Sequence, residues 1–160
     1  MTMREVVIRY VEPIEVLSVD HVGPYMQISK AFDALFGWLA QHNLLAAEMR
    51  MIGIFFDDPD VVDENALRSK AGVSLPHPLQ VAVTVSPPVS VAHVKGGEYA
   101  VLRHKGPYSD LPAAYEWLYG TWLVQSGREA ADAPVLEEYL NSPKETAPAD
   151  LVTEICLPLV

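Results

Sequence analysis

Two carboxylates interrupt apolar runs near the C-terminus. Glu137 stands between Leu136 and Tyr139, and Glu154 breaks Leu151-Val152-Thr153 from Ile155-Cys156-Leu157. Both runs read as strands, so residues 137, 139 and 141 share one face and 136, 138 and 140 share the other. A carboxylate turned into an apolar face costs several kcal/mol unless it finds a partner. A cationic ligand can be that partner, which makes Glu137 the first candidate anchor. The alternative is a solvent-facing Glu137 with Glu138 turned inward or set at an edge. Glu154 reads either as a second acid lining the same site or as a polar-face residue. Two convergent acids would raise one another's pKa and support acid/base hydrolysis, with Glu137 or Glu154 as general base.

Aromatic residues divide in the same way. Tyr25, Tyr108 and Tyr139 fall at corners or in a strand, where an aromatic wall beside a carboxylate suits a delocalised cation. Trp38, Trp117, Trp122, Tyr115 and Tyr119 lie on helical stripes, where core packing is expected. His21 and His104 read as hydrogen-bonding residues at strand ends. The five histidines show no metal spacing, and no nucleophile elbow, phosphate-binding loop or EF-hand is present. No metal and no cofactor are expected. The acidic loop Asp57-Asp58-Pro59-Asp60-Val61-Val62-Asp63-Glu64 reads as solvated, with a basic protein partner as the rival reading.

The elements that must position these residues come in two copies. His21-Val22-Gly23-Pro24-Tyr25 recurs as His104-Lys105-Gly106-Pro107-Tyr108, 83 residues later. Each copy follows an alternating run and precedes a helical stripe, so it reads as a strand-to-helix corner. In repeat one, Glu5 to Val11, Ile14 to Val19, Met51 to Phe56 and Leu67 to Leu75 read as strands, with a turn at Glu12-Pro13. Ile28, Phe32, Leu35, Phe36 and Leu39 give an amphipathic helix ending near Gln41-His42-Asn43. In repeat two the strands are Val89 to Val94, Glu98 to His104, Val135 to Leu140 and Leu151 to Leu157. Its helix, capped by Ser109 or Asp110, carries Leu111, Tyr115, Leu118, Tyr119 and Trp122. Phe32 thus aligns with Tyr115, Leu35 with Leu118, Phe36 with Tyr119 and Leu39 with Trp122. The expected fold is α+β: two pseudo-symmetric strand-strand-helix-strand-strand repeats forming an antiparallel sheet with a central groove. Repeat one spans about residues 1–75, a proline-rich linker 76–88, and repeat two about 89–160. Within the linker, Leu79 to Val85 reads as a short strand or an extended crossover.

Composition narrows the function. The chain has 160 residues, half of them hydrophobic, enough for a real core. Its single cysteine, Cys156, makes no internal disulfide and fits a reducing compartment, so a cytoplasmic location is expected. No secretory h-region opens the sequence, and no apolar run approaches the roughly 18 residues of a bilayer span, so no membrane partner is expected.

Several stretches together resemble the GyrI-like family, named after a bacterial DNA-gyrase inhibitor. They are Gly97 to Tyr108 (GEYAVLRHKGPY), Trp117 to Leu123 (WLYGTWL), Leu136 to Pro143 (LEEYLNSP) and Leu151 to Leu159 (LVTEICLPL). The first half adds Ile54 to Pro59 (IFFDDP) and Leu67-Arg68. The resemblance covers almost the whole chain. It implies the fold that also serves AraC-type and MerR-type regulators as effector-binding domain, with a central groove that in multidrug-responsive relatives takes aromatic or cationic compounds against a buried glutamate. Glu137 matches that glutamate's strand motif, with Tyr139, Glu154, Tyr108 and Tyr25 as further ligand-binding candidates. Some relatives hydrolyse cyclopropane-containing DNA alkylators. Two departures stand out: no DNA-binding segment is found, and Cys156 stands where a tyrosine is common.

These features leave three readings. The leading one is a stand-alone small-molecule binding module for amphipathic, cationic or aromatic compounds, with catalysis left open. The others are a gyrase inhibitor acting by protein contact, and a small hydrolase of alkylating toxins. Autonomous DNA binding is not expected, because phosphates need a basic surface and the net charge is −10. Fluorescence anisotropy with duplex DNA at about 150 mM salt should show no sub-micromolar binding; tight binding there contradicts the charge argument.

Overall fold

The computed structural model describes residues 4–45, 48–74 and 85–160. Most of the linker, including the reading of Leu79 to Val85 short of Val85 itself, lies outside the described residues. The chain is mixed α+β with antiparallel strand pairing, and it forms two compact units. One unit is contiguous, Pro13–Lys95. The other is composite, joining the described part of Met1–Glu12 to Gly96–Val160.

The contiguous unit contains β2 (Ile14–Val22), α1 (Ser29–Gln41), β3 (Arg50–Phe55), β4 (Arg68–Ser74) and β5 (Val89–Val94). Its strands pair antiparallel in the order β3-β4-β2-β5. Helix α1 lies against β2 and β4. It buries Ala31, Phe32, Leu35, Trp38 and Leu39, the stripe that helical spacing demands. The composite unit holds β1 (Val6–Val11), β6 (Gly97–Lys105), α2 (Leu111–Trp117), α3 (Leu123–Ser126), β7 (Val135–Tyr139) and β8 (Val152–Pro158). Its order is β1-β6-β8-β7, again antiparallel. Leu111, Ala114 and Leu118 pack on Ala100, Leu102, Ile155 and Leu157 to form its core.

Strand boundaries match the alternation in the sequence to within a few residues. The partner of the first strand does not follow from it. Glu12-Pro13 does not close a hairpin between β1 and β2. Instead β1 pairs with β6, Val7 facing Val101, while β5 pairs with β2, Leu17 facing Val91. The first strand of each repeat has therefore changed places with the other. Once this exchange is made, both units share one strand order.

The two His-x-Gly-Pro-Tyr corners share one construction. Gly23 and Gly106 stand at φ +129° and +144°, a region closed to ordinary side chains. Their N–H groups donate to the carbonyls of Leu67 and Leu151, both at 2.8 Å. His21 Nε2 meets the Pro24 carbonyl at 3.0 Å, and His104 Nε2 meets that of Pro107 at 3.4 Å. A 3-10 turn then leads into the helix, Tyr25–Gln27 in one unit and Tyr108–Asp110 in the other. That turn overturns the expected cap: Asp110 is already helical at φ −91°, ψ −5°, and its side chain makes no capping bond.

Helix α2 also departs from a simple stripe. It runs through a π-helical stretch, Leu118–Trp122, where the Leu123 N–H reaches back to Leu118 O, and then into α3. Within the π-helical stretch Leu118 is fully buried and Tyr119 is 41% exposed.

Gly106 and Gly37 give opposite expectations for alanine. A Cβ at Gly106 would require a positive φ and would sit 3.4 Å from His104 Nε2, whereas one at Gly37, inside α1, meets nothing within 4 Å. Gly106→Ala should cost about 1–3 kcal/mol, and Gly37→Ala should gain about 0.5–1 kcal/mol, read by denaturant unfolding.

Candidate functional site

Glu137 pairs across the ladder with Ile155, and Glu138 with Glu154. Facing residues share a sheet face, so Glu137 points to the helix-covered face with Ile155 while Glu154 projects from the opposite one. The two acids do not converge, and the shared-site reading of Glu154 is not what the register gives.

Glu137 is buried, with 7% of its surface exposed. Two phenols hold it. Tyr115 Oη, from α2, donates to Oε2 at 2.5 Å, and Tyr139 Oη, two residues along β7, donates to Oε1 at 2.8 Å. Tyr108, on the corner turn, sets its ring edge-to-face on Tyr139 with centroids 5.8 Å apart. Burial pushes the Glu137 carboxyl above its ordinary value, and the two phenol hydrogen bonds offset this only in part. Tyr115 and Tyr139 are driven well above the usual phenol range, by burial first and by the neighbouring carboxylate second. Tyr108 is raised for the same two reasons. Among the described residues, no Lys, Arg or His pairs with Glu137. The cluster is thus a desolvated acid inside an aromatic wall, without a counter-charge among the described residues.

Glu154 is an anchor of another kind. Arg9 on β1 reaches both its oxygens at 3.4 Å, and Arg103 on β6 reaches Oε2 at 3.1 Å. Burial alone would raise its carboxyl, but the two guanidinium groups outweigh burial and hold it below the ordinary value. It ties three strands of the composite unit together.

Tyr25 belongs to the contiguous unit. Its hydroxyl donates to the Asp57 carbonyl at 2.8 Å and accepts from the Asp57 N–H at 2.9 Å, and its ring meets Phe55 edge-on at 4.8 Å. Asp57 in turn takes Arg68 in a fork at 2.8 and 3.1 Å. The first acid of the acidic loop is therefore used to fasten the corner. Among the described residues no cluster of potential metal ligands occurs.

Sequence reasoning places Tyr115 in the core and misses its hydroxyl. The repeat alignment holds the signal. Tyr115 stands where the first copy has Phe32, a hydroxyl added to an otherwise matching aromatic position. The ladders extend the comparison: Gly53 pairs with Ala71 as Glu137 pairs with Ile155, each 84 residues on. By the same step Phe55 corresponds to Tyr139. The carboxyl and the two hydroxyls that bond to it are thus absent from the first copy. Arg9 and Arg103 are also missed, because their meeting with Glu154 depends on strand pairing across the whole chain.

Comparison with known proteins agrees with this architecture. The model of the GyrI-like small molecule binding domain matches residues 4–160. The chain belongs to the GyrI-like family. A DNA gyrase inhibitor of Citrobacter rodentium (strain ICC168) is 30% identical over 135 residues, covering 84% of each chain. The EcmrR C-terminal domain superposes with a TM-score of 0.77 at 16% identity, over 99% of both chains. In the EcmrR–DNA complex the same likeness (TM-score 0.78, 16% identity) covers 98% of this chain but only 57% of the EcmrR chain. SAV2435, solved bound to tetraphenylphosphonium, gives a TM-score of 0.57 at 13% identity, over 98% of this chain and 94% of its own. At these identities the structural likenesses speak for the fold.

The two glutamates should shift stability with opposite sign. Glu137 has a raised folded pKa, so its contribution is fully present below the ordinary glutamate value of about 4.3 and is lost as pH rises through the folded value. Glu137→Gln should therefore gain stability relative to the parent as pH increases. Glu154 has a lowered folded pKa, so its contribution is present above about pH 4.3 and lost as pH falls through the folded value. Glu154→Gln should cost about 1 kcal/mol near neutrality and less in acid, since both arginines stay hydrated. Thermal melts at about pH 4 and pH 7 compare the pair.

Proposed function

We propose that this small-molecule binding domain takes up cationic aromatic or amphipathic compounds, with Glu137 as the charged anchor and Tyr108, Tyr115 and Tyr139 as its aromatic surround. The supporting observation is the Glu137 carboxylate itself, buried and held by two phenols with no cation of the protein beside it among the described residues. A ligand cation supplies the missing charge, and the ring faces accept its apolar or delocalised part. The tetraphenylphosphonium found on SAV2435 is a ligand of this chemistry. Sequestration or sensing is the role such binding serves.

The gyrase-inhibitor name of the 30% identical relative favours a second reading, in which the chain contacts gyrase directly. The exposed acidic residues Asp58, Asp60, Asp63 and Glu64 would face that protein's DNA-binding surfaces. This reading needs no ligand at Glu137.

Calorimetric titration with tetraphenylphosphonium and a neutral triaryl compound of matched shape separates the two. In Glu137→Gln the cation should lose a charge-assisted contact of about 1.5–3 kcal/mol, roughly a ten- to hundredfold loss of affinity. The neutral compound should bind nearly as before, because its contacts are with the rings. Equal losses for both compounds would point to a general defect and count against the anchor. No binding of either would leave the protein-contact reading.

A further inference from the structure

The carboxylate and its phenols also define what happens to a proton when the site fills. We infer that cation uptake at Glu137 expels a proton from the Tyr115–Glu137–Tyr139 cluster into solvent, so that the site exchanges a proton for its ligand. This rests on the proposed cationic ligand.

The geometry carries the inference. Both carboxyl oxygens already meet a phenol, at 2.5 and 2.8 Å. A hydroxyl can donate or accept. The same heavy-atom positions therefore serve two states: a carboxylate accepting from both tyrosines, or a carboxylic acid donating to one tyrosine and accepting from the other. No side chain has to move between them.

The surroundings choose between these states by charge. Among the described residues, the titratable groups that interact with Glu137 are Tyr115 on α2, Tyr108 on the corner and Tyr139 on β7 itself. All three are phenols raised above their ordinary value, and so neutral. Strand β8 contributes Thr153 and Ile155, which carry no charge. Glu138 and Glu154, with Arg9 and Arg103, belong to the opposite face. With 7% exposure and no counter-charge among the described residues, burial shifts the balance toward the acid form, and Glu137 is correspondingly raised. A bound cation reverses the preference, because the ionised carboxylate then has a partner at close range in a poorly solvated site. The proton passes to bulk buffer as the cation enters, leaving the charge of the cluster with its ligand the same as before.

Tetraphenylphosphonium is a suitable probe, having no titratable group of its own. Its affinity for the intact chain should be measured from about pH 4 to about pH 8, spanning the ordinary glutamate range. Below the free-state midpoint of Glu137 the affinity should rise by up to about tenfold per pH unit, then level off. Calorimetry in two buffers of different ionisation enthalpy should show proton release on the rising limb and none on the plateau. Glu137→Gln should bind more weakly with a flat profile. Tyr115→Phe, which removes a donor favouring the carboxylate, should move the midpoint upward while keeping the slope. A flat profile in the parent chain, or the same slope in Glu137→Gln, overturns the exchange and leaves cation binding standing. Absence of tetraphenylphosphonium binding at every pH overturns both.

Discussion

The composite unit is organised around one unfavourable act, the burial of the Glu137 carboxyl. Inside an apolar face a lone carboxylate is worth avoiding by several kcal/mol. The unit answers with neutral donors. Tyr115 and Tyr139 lend one hydroxyl each, and each can do so only if its backbone is held in register. The core of Leu111, Ala114 and Leu118 on Ile155 and Leu157 holds α2 against the sheet, and the Leu136–Cys156 and Glu137–Ile155 pairs fix β7. The π-helical stretch begins three residues after Tyr115, so the phenol is delivered from the last regular part of the helix. Neutral donors soften the penalty without supplying a counter-charge.

Pseudo-symmetry makes the specialisation visible. Gly53, Phe32, Phe55 and Tyr25 occupy in one unit the places of Glu137, Tyr115, Tyr139 and Tyr108 in the other. The edge-to-face ring pair survives in both, Tyr25 on Phe55 and Tyr108 on Tyr139. Only the second copy carries the acid and the hydroxyls that answer it. A related inversion occurs on the ladder. Asp20 faces Lys70 in the contiguous unit, and Arg103 faces Glu154 at the equivalent place, with the charges exchanged between strands. Opposite charge at a cross-strand position has been kept while the sign at each strand has not, as expected if the pair rather than either residue is what matters there.

The strands are legible in the sequence because alternation is local. Val89–Val94 is legible to the residue, and the other seven within a few residues of their ends. The corners are legible because glycine and proline leave a backbone signature. Helix α2 is harder: a π turn shifts the period, and nothing in Leu118–Trp122 announces it. Within the site, Glu137 and Tyr139 stand out as a carboxylate and an aromatic on one face of one strand. Tyr115 does not, since an aromatic on a helical stripe has the same spacing whether its hydroxyl is used or idle. Nor does the Arg9–Glu154–Arg103 group, which brings together three strands and a sequence separation of 145 residues. Long-range register decides such contacts, and a single sequence does not contain it in readable form.

The exchange of β1 and β5 bears on how the chain is made. Pro13–Lys95 is one continuous stretch, and all its paired strands are present once that stretch has left the ribosome. The composite unit has no such independence. Val6–Val11 is synthesised before that stretch, yet its partner Gly97–Lys105 comes some ninety residues later. With vectorial synthesis at roughly 5–20 residues per second, the N-terminal strand waits several seconds with Val7, Ile8 and Tyr10 unmatched. A strand translated ahead of the contiguous unit is thus paired only after it, and the unit that carries the glutamate is completed only when the two segments flanking Pro13–Lys95 have met.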